Sequence, residues 1–310
     1  MAEQSPATAV NFSNMEKLSR RDIAAAMATY AADIGSDETR AQFRYMVNQY
    51  YMMQENRKRT DNQLRAAGID MTANSVLQYL SRNSHDTEKF IKTCLDFYTS
   101  MHPVGIWMKD ITGIGPVISA GILAHIDIRR CPTSGHIESF AGYNPTVKWE
   151  KGQKRPFNMA LKTLLFHAGM GFIKNSGKDH CVYGKWYLAK KKEYMDKNEA
   201  GEYSAQAEYD LLHKYKDKNT SAYKSCKEGK LPQAQILARA RRWTIKLFVS
   251  HLHEHWYILE FGEPPAKPYA IAILGHAHHI RFGDYPADVI EVADDEDIRA
   301  AERELADKGL

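Results

Sequence analysis

Residues 103–127 read Pro103-Val-Gly-Ile-Trp-Met-Lys-Asp-Ile-Thr-Gly-Ile-Gly-Pro-Val-Ile-Ser-Ala-Gly-Ile-Leu-Ala-His-Ile-Asp127. Pro103 suits the first turn of a short helix, where a missing N–H costs nothing. The run then meets Gly113-Ile114-Gly115. Two glycines permit positive φ and let the backbone approach a ligand with no Cβ in the way. Ile114 between them is expected to tuck inward and pin the turn. Pro116 stands where a second helix begins. Ser119, Ala120 and Gly121 are small enough for two helices to pack closely, and Val117, Ile118, Ile122, Leu123 and Ile126 supply apolar faces. The pattern predicts a helix-hairpin-helix, with a helix N-terminus beside a glycine turn. Free N–H groups and the helix dipole together favour an anion there. Gly113, Ile114, Gly115 and the N–H of Val117 are therefore candidate contacts to a backbone phosphate. Such contacts position a protein on nucleic acid without reading its sequence. The competing reading is a tight helix–helix turn inside a core.

The charge pattern around this stretch points the same way. The formal net charge is only +4. Residues 101–250 nevertheless hold 25 Lys/Arg against 13 Asp/Glu, a net of +12, whereas residues 251–310 hold 5 against 13, a net of −8. A basic segment is the footprint expected of a phosphate-binding surface. Arg129 and Arg130 follow the hairpin at once. Trp149-Glu-Lys151-Gly-Gln-Lys154-Arg155-Pro156 is a short basic loop with an aromatic, suited to gripping phosphate and stacking on an exposed base. The bland reading of that loop is a solvated connector. Lys190-Lys191-Lys192 reads as a solvated helix face.

Outward from the hairpin, apolar residues recur at helical spacing almost everywhere and strand alternation nowhere, so the chain reads as mostly α. Residues 1–14 read as a flexible tail. Residues 15–101 form a helical or coiled-coil region, with helices expected at 15–34, from Glu38 to Ala67, at 73–82 and at 86–101. The long helix from Glu38 is polar in its middle, which suggests a protruding helix or half of a helical hairpin, with a homodimer as one use of it. Residues 102–176 contain the hairpin and an irregular stretch over 128–157. Asn158 is placed to cap a helix reaching Lys174. Residues 177–283 form a further helical region, with helices expected near 183–197 and 203–216 and from Pro232 to Phe261, where Trp243, Leu247, Trp256 and Tyr257 read as helix core sooner than as a base-stacking platform. Residues 284–310 form an acidic tail.

Several classes are disfavoured. No apolar run approaches the roughly 20 residues that span a bilayer, and the N-terminus has no secretory pattern. Cys94, Cys131, Cys181 and Cys226 are far apart and form no CxxC pair, which suits reduced thiols in a cytoplasmic protein. Histidines cluster at His251, His253 and His255 and again at His276, His278 and His279. His251 and His255 share a helix face and are candidate metal ligands, with Glu254 nearby. No HExxH accompanies them, so no metal or other cofactor is predicted, and core or surface histidines are the simpler reading.

The stretch from Ile111 to about Ser176 resembles the C-terminal domain of insertion-sequence transposases of the 110/116/902 group, the DEDD transposases. The matching residues are Ile111-Thr-Gly-Ile-Gly-Pro-Val, Ala124-His-Ile-Asp127, Ile128-Arg-Arg-Cys131-Pro132, Phe140-Ala-Gly-Tyr-Asn-Pro145 and Asn158-Met-Ala-Leu-Lys-Thr-Leu-Leu165. They occur in the family's order and spacing, over roughly a fifth of the chain. The resemblance implies DNA recombination, in some members guided by a structured RNA. It also implies an N-terminal nuclease-like domain with four acidic metal ligands, for which the residues before the first long helix leave no room. Glu3, Glu16, Asp22 and Asp33 lie there without a strand pattern. The resemblance further implies a nucleophilic serine, yet Lys151 stands where it is expected, and nothing in sequence activates Ser134, Ser139 or Ser176.

Three functions remain open at this level. The first is a DNA-binding protein, or an RNA-binding one, that serves a mobile element or phage and is not catalytic alone. A separate nuclease partner would then complete it, and localisation would be cytoplasmic or nucleoid-associated. The second is a metal-dependent nuclease or hydrolase using the C-terminal histidines. The third is a helical assembly protein. Whether the chain is an enzyme is left undecided.

Overall fold

A computed structural model describes residues 19–68, 76–147, 149–266, 280–284, 286 and 303. Among them are eleven α-helices, two short 3-10 turns and no strand. The protein is mostly α. No described helix is long and apolar enough to cross a membrane. The 1–14 tail, nearly all of the acidic 284–310 segment, and His276, His278 and His279 lie outside the described residues.

The chain divides into two compact units. The first is Met1–Lys109 with Gly115–Ile126, and the second is Asp110–Ile114 with Asp127–Leu310. In the first unit, α1 (Arg20–Ala28) opens with a capping box. Ser19 accepts from the Asp22 N–H, and the Asp22 carboxylate accepts from the Ser19 N–H. A 3-10 turn (Ala31–Asp33) leads to α2 (Asp37–Ala66). Ser36 caps α2 by accepting from the Thr39 N–H at 3.1 Å, and Asp37 and Glu38 complement the dipole of its first turn. Gly68 follows at φ 64° and ends the helix.

The two short helices expected at 73–82 and 86–101 are one helix, α3 (Val76–Met101). Asn83-Ser84-His85 contains neither Pro nor Gly, so polar residues alone do not break it. α2 and α3 pack antiparallel. Phe43 stacks on Tyr98 with centroids 3.7 Å apart, while Arg57 meets Glu88 at 2.8 Å and Ser81 donates to Asp61 at 2.6 Å. After α4 (Pro103–Asp110), α5 (Pro116–His125) packs against α2 and α3. Its Ser119, Ala120 and Gly121 are buried. Small residues thus allow close approach, as expected, but to α2 and α3. Arg44 seals the far end by donating to the Ala124 carbonyl at 2.6 Å.

The second unit is organised on α11 (Gln233–Phe261), against which α6 (Ser134–Phe140), α7 (Met159–Lys174) and α8 (Val182–Glu199) pack. α7 is buried on most sides, which its apolar sequence from Leu161 to Ile173 requires. Phe172, Tyr183 and Phe248 form a ring cluster with centroids 4.7–5.6 Å apart. α9 (Ser204–His213) and α10 (Ser221–Lys227) pair with each other over a smaller core of Ala207, Cys226, Leu231 and Ile236. Asn158 caps α7, accepting from the Leu161 N–H at 3.0 Å. α11 ends at Gly262, φ 76°, just before Pro264-Pro265.

Candidate nucleic-acid interface

The two glycines of the turn do different work. Gly113 sits at φ 102° in the second unit, and its backbone lies directly against α7. A Cβ there would fall 2.8 Å from the Gly171 carbonyl carbon, and a Cβ on Gly171 would meet the Gly113 carbonyl oxygen at 2.1 Å. Both positions therefore need glycine for packing alone. Ile114 is buried, and its N–H donates to the Ile111 carbonyl at 3.0 Å, which closes the turn. Thr112 presents its carbonyl to the Cys181 thiol at 3.8 Å. Gly113 and Ile114 are thus held by the fold, whatever ligand they meet.

Gly115 is free of that demand. It is the N-cap of α5 with extended backbone, φ −105° and ψ 174°, and a Cβ there would meet nothing within 4 Å. No side chain caps the helix, and Pro116 occupies its first turn. The N–H groups of Val117 and Ile118 precede the first intrahelical donor, Ser119, whose N–H reaches the Gly115 carbonyl at 3.0 Å. The Ser119 hydroxyl donates to the same carbonyl at 3.1 Å, so it does not compete for the helix N-terminus. Thr99 fixes the helix start by bridging to the Pro116 carbonyl at 3.3 Å.

The basic candidates lie in two groups in the second unit. Arg129 is 74% exposed and pairs with Glu260 at 2.6 Å, and Arg130 approaches Asp127 at 3.4 Å. The Glu260 carboxylate raises the pKa of the Arg129 guanidinium. Both arginines would have to exchange a carboxylate for a phosphate. The second group is the loop at 149–156. Trp149 is 40% exposed, its indole N–H donates to the Gln153 carbonyl at 2.8 Å, and the Arg155 guanidinium lies 5.3 Å from its ring centroid. Lys151 and Lys154 are exposed and have no ion-pair partner among the described residues. Among the described residues, no hydrogen bond, ion pair or ring contact joins the loop to Arg129 or Arg130.

The residues that carry the transposase resemblance build the base of this loop. Gly142, φ 69°, lies so close to the Phe157 ring that a Cβ would fall 2.7 Å from it. Lys162, in Asn158-Met-Ala-Leu-Lys, donates to the Gly142 carbonyl at 3.1 Å and sits 4.4 Å from the Phe157 centroid. The Asn158 N–H donates to the Phe140 carbonyl at 2.8 Å, and Asn144 donates to the Ser139 hydroxyl at 3.0 Å. These contacts clamp the two ends of the loop together and leave its basic tip in solvent. Residues 107–177 match the transposase family IS116/IS110/IS902. The transposase-like segment begins in α4 and ends just past α7, so it contains the glycine turn, α5, both arginines and the basic loop. No curated protein and no solved structure matches the chain.

Of the candidate metal ligands, His251 is otherwise occupied. His251 places Nδ1 at 2.9 Å from the Tyr183 hydroxyl and Nε2 at 2.9 Å from the Ile280 carbonyl. His253 places Nε2 at 2.7 Å from the Cys131 carbonyl, and burial holds its imidazole pKa below the usual value. His255 is half-buried and its pKa too is lowered by burial. No His, Cys, Asp or Glu group able to hold a metal occurs among the described residues. Of the serines near the expected nucleophile, Ser134 and Ser176 are buried and Ser139 accepts from Asn144.

Trp243 and Lys190, expected in a helix core and on a solvated face, meet in the second unit. Trp243 is half-exposed rather than core, and it faces Trp186 at 5.9 Å and the Lys190 ammonium at 4.6 Å. The available signal was the i, i+4, i+8 spacing of Trp186, Lys190 and Tyr194 on one helix.

Proposed function

We propose that this chain binds DNA backbone phosphate in the service of transposition or recombination of a mobile element or phage, and that it is not catalytic alone. The observation that carries the reading is the uncapped N-terminus of α5 at Gly115, inside the transposase-like segment. A phosphate there receives N–H donors of Val117 and Ile118 and the positive end of the helix dipole, in the manner of a helix-hairpin-helix. Lys151, Lys154 and Arg155 at the loop tip, with Arg129 and Arg130, add charge in the second unit. The ion pairs of Arg129 and Arg130 make them secondary contributors.

Gel shifts against duplex, single-strand and four-way-junction DNA, with matched RNA, test the reading. Binding should weaken steeply with salt and depend on Gly115 and the loop lysines. Affinity that ignores both would overturn it. Lys151 cannot form a phosphoserine link, so a covalent step would need a nucleophile supplied by a partner. Self-association through α2 fits the same role. Tyr45 and Met52, 64% and 54% exposed, lie one heptad apart on that helix. Sedimentation of the protein without DNA decides it, with a monomer at micromolar concentration as the negative result.

A further inference from the structure

We propose a second nucleic-acid surface, on α8 and α11 outside the transposase-like segment, that takes a single strand by stacking its bases. Six residues of the second unit form an alternating row of rings and cations. Trp186 faces Trp243 at 5.9 Å, and Lys190 lies 4.6 Å from the Trp243 centroid. Lys190 also lies 6.0 Å from the Tyr194 centroid. Arg239 then lies 6.0 Å from Tyr194 and 4.5 Å from Tyr203. All six are half-exposed.

The row is seated on packed cores rather than floating in solvent. Tyr194 rests on the cluster of Phe166, Met170, Ile173, Tyr187, Leu188 and Ala240 and also on the smaller α9–α10 core, where Tyr203 packs too. The Trp186 indole N–H donates to the Asp284 carbonyl at 2.8 Å, and Arg239 donates to Gln206 at 2.7 Å. The rings are therefore ordered before any ligand arrives, which lowers the entropy cost of binding. From Trp186 to Tyr194 the helix rises about 12 Å. That length suits roughly three stacked nucleotides at about 3.4 Å each.

Rings alternating with cations match an unpaired strand specifically. Each base offers a π-face and each nucleotide a phosphate, and stacking on aromatics is tolerant of sequence. A duplex offers its phosphates but keeps its bases stacked on one another. The same face of α11 carries Arg242 and Lys246, at helical spacing from Arg239 and Trp243. Two carboxylates oppose the ligand among the described residues: Glu138, which pairs with Lys246 at 2.8 Å, and Glu193. Glu193 accepts from Lys190 at 2.5 Å and from Lys197 at 2.8 Å. A bound phosphate must compete with it for Lys190.

The test uses the full chain, a labelled oligothymidylate and an oligouridylate as probes, and anisotropy at fixed salt. Tyr194→Leu keeps bulk on the core and removes the ring, so single-strand affinity should fall about tenfold. Glu193→Gln frees Lys190 and should tighten binding about threefold. Excess unlabelled duplex should compete poorly. Melting curves confirm that each variant is folded. If Tyr194→Leu fails to fold, Lys190→Gln, on the surface, takes its place with the same expected direction. Single-strand affinity unchanged in the ring or lysine variant, or equal competition by duplex, overturns the proposal. Because Gly115 and the loop lysines are untouched, that failure is distinct from loss of duplex binding at α5.

Discussion

Gly115→Asp separates a ligand role from a packing role at the turn, because the fold asks nothing of Gly115. A Cβ fits without contact, and φ −105°, ψ 174° is the extended backbone of an N-cap. Asp is a preferred N-cap, so its carboxylate will accept from the first-turn N–H groups and complement the dipole. The gain over Gly is about 0.3–1 kcal/mol. That raises the Tm by about 1–3 °C in a chain of this size. The same carboxylate occupies the donors a phosphate would use and repels it. Loss of one charge-assisted contact of about 1.5–3 kcal/mol weakens duplex binding by roughly 10- to 150-fold. The slope of log K against log salt should fall in magnitude by about 0.9, the share of one phosphate. The assay is anisotropy on labelled duplex over a salt series, beside thermal melting. A stabilised variant that binds duplex with unchanged affinity and slope would falsify the phosphate site. Gly113→Ala is the contrast. Positive φ and a backbone-to-backbone clash with Gly171 should cost about 2–4 kcal/mol, so its loss of binding would report unfolding rather than a missing contact.

Other outcomes follow from the units taken separately. Burial, with Arg44 adding to it, lowers the His125 pKa from 6.5 to about 4. The unfolded chain therefore takes up a proton that the folded chain refuses, and stability falls as pH drops from about 6.5 towards 4, by on the order of 2–3 kcal/mol. His125→Gln should flatten the Tm between pH 7 and pH 4.5, and an equal acid slope in the variant would refute this. Glu88 is buried beside Arg57 and Gln54 between α2 and α3. Glu88→Ala should cost about 2 kcal/mol by stranding the Arg57 guanidinium, read by urea midpoint, with a shift under a quarter of that counting against it. Tyr183→Phe removes the hydroxyl from His251 and should cost about 1 kcal/mol. Removal of this contact should also speed protease cleavage near residue 280, where His251 holds the Ile280 carbonyl. An unchanged cleavage rate would show that Tyr183 does not support that contact.

Local chemistry made much of the secondary structure legible. Asn158 and Pro116 mark helix starts, and helical periodicity without strand alternation states the mostly-α class. These signals act within a few residues of the atoms they control, so a reader of the chain sees them directly. The same holds for the motif by which residues 107–177 match a transposase family: its order and spacing are properties of the string.

Tertiary structure decided what each residue is for. Pro116 marks Gly115 locally as an extended N-cap, but nothing local commits Gly113 to packing. Only the approach of α7, far along the chain, commits Gly113 to packing and leaves Gly115 open to a ligand. Likewise, Ser119 to Gly121 announce close packing without naming the partner, which is α2 and α3. Trp243 and Lys190 read as core and solvated face until α8 and α11 bring them together. His251 and His255 have metal-ligand spacing, yet Tyr183 and Ile280 occupy the His251 ring. Each of these depends on groups distant in sequence, whose meeting is set by how the apolar faces pack.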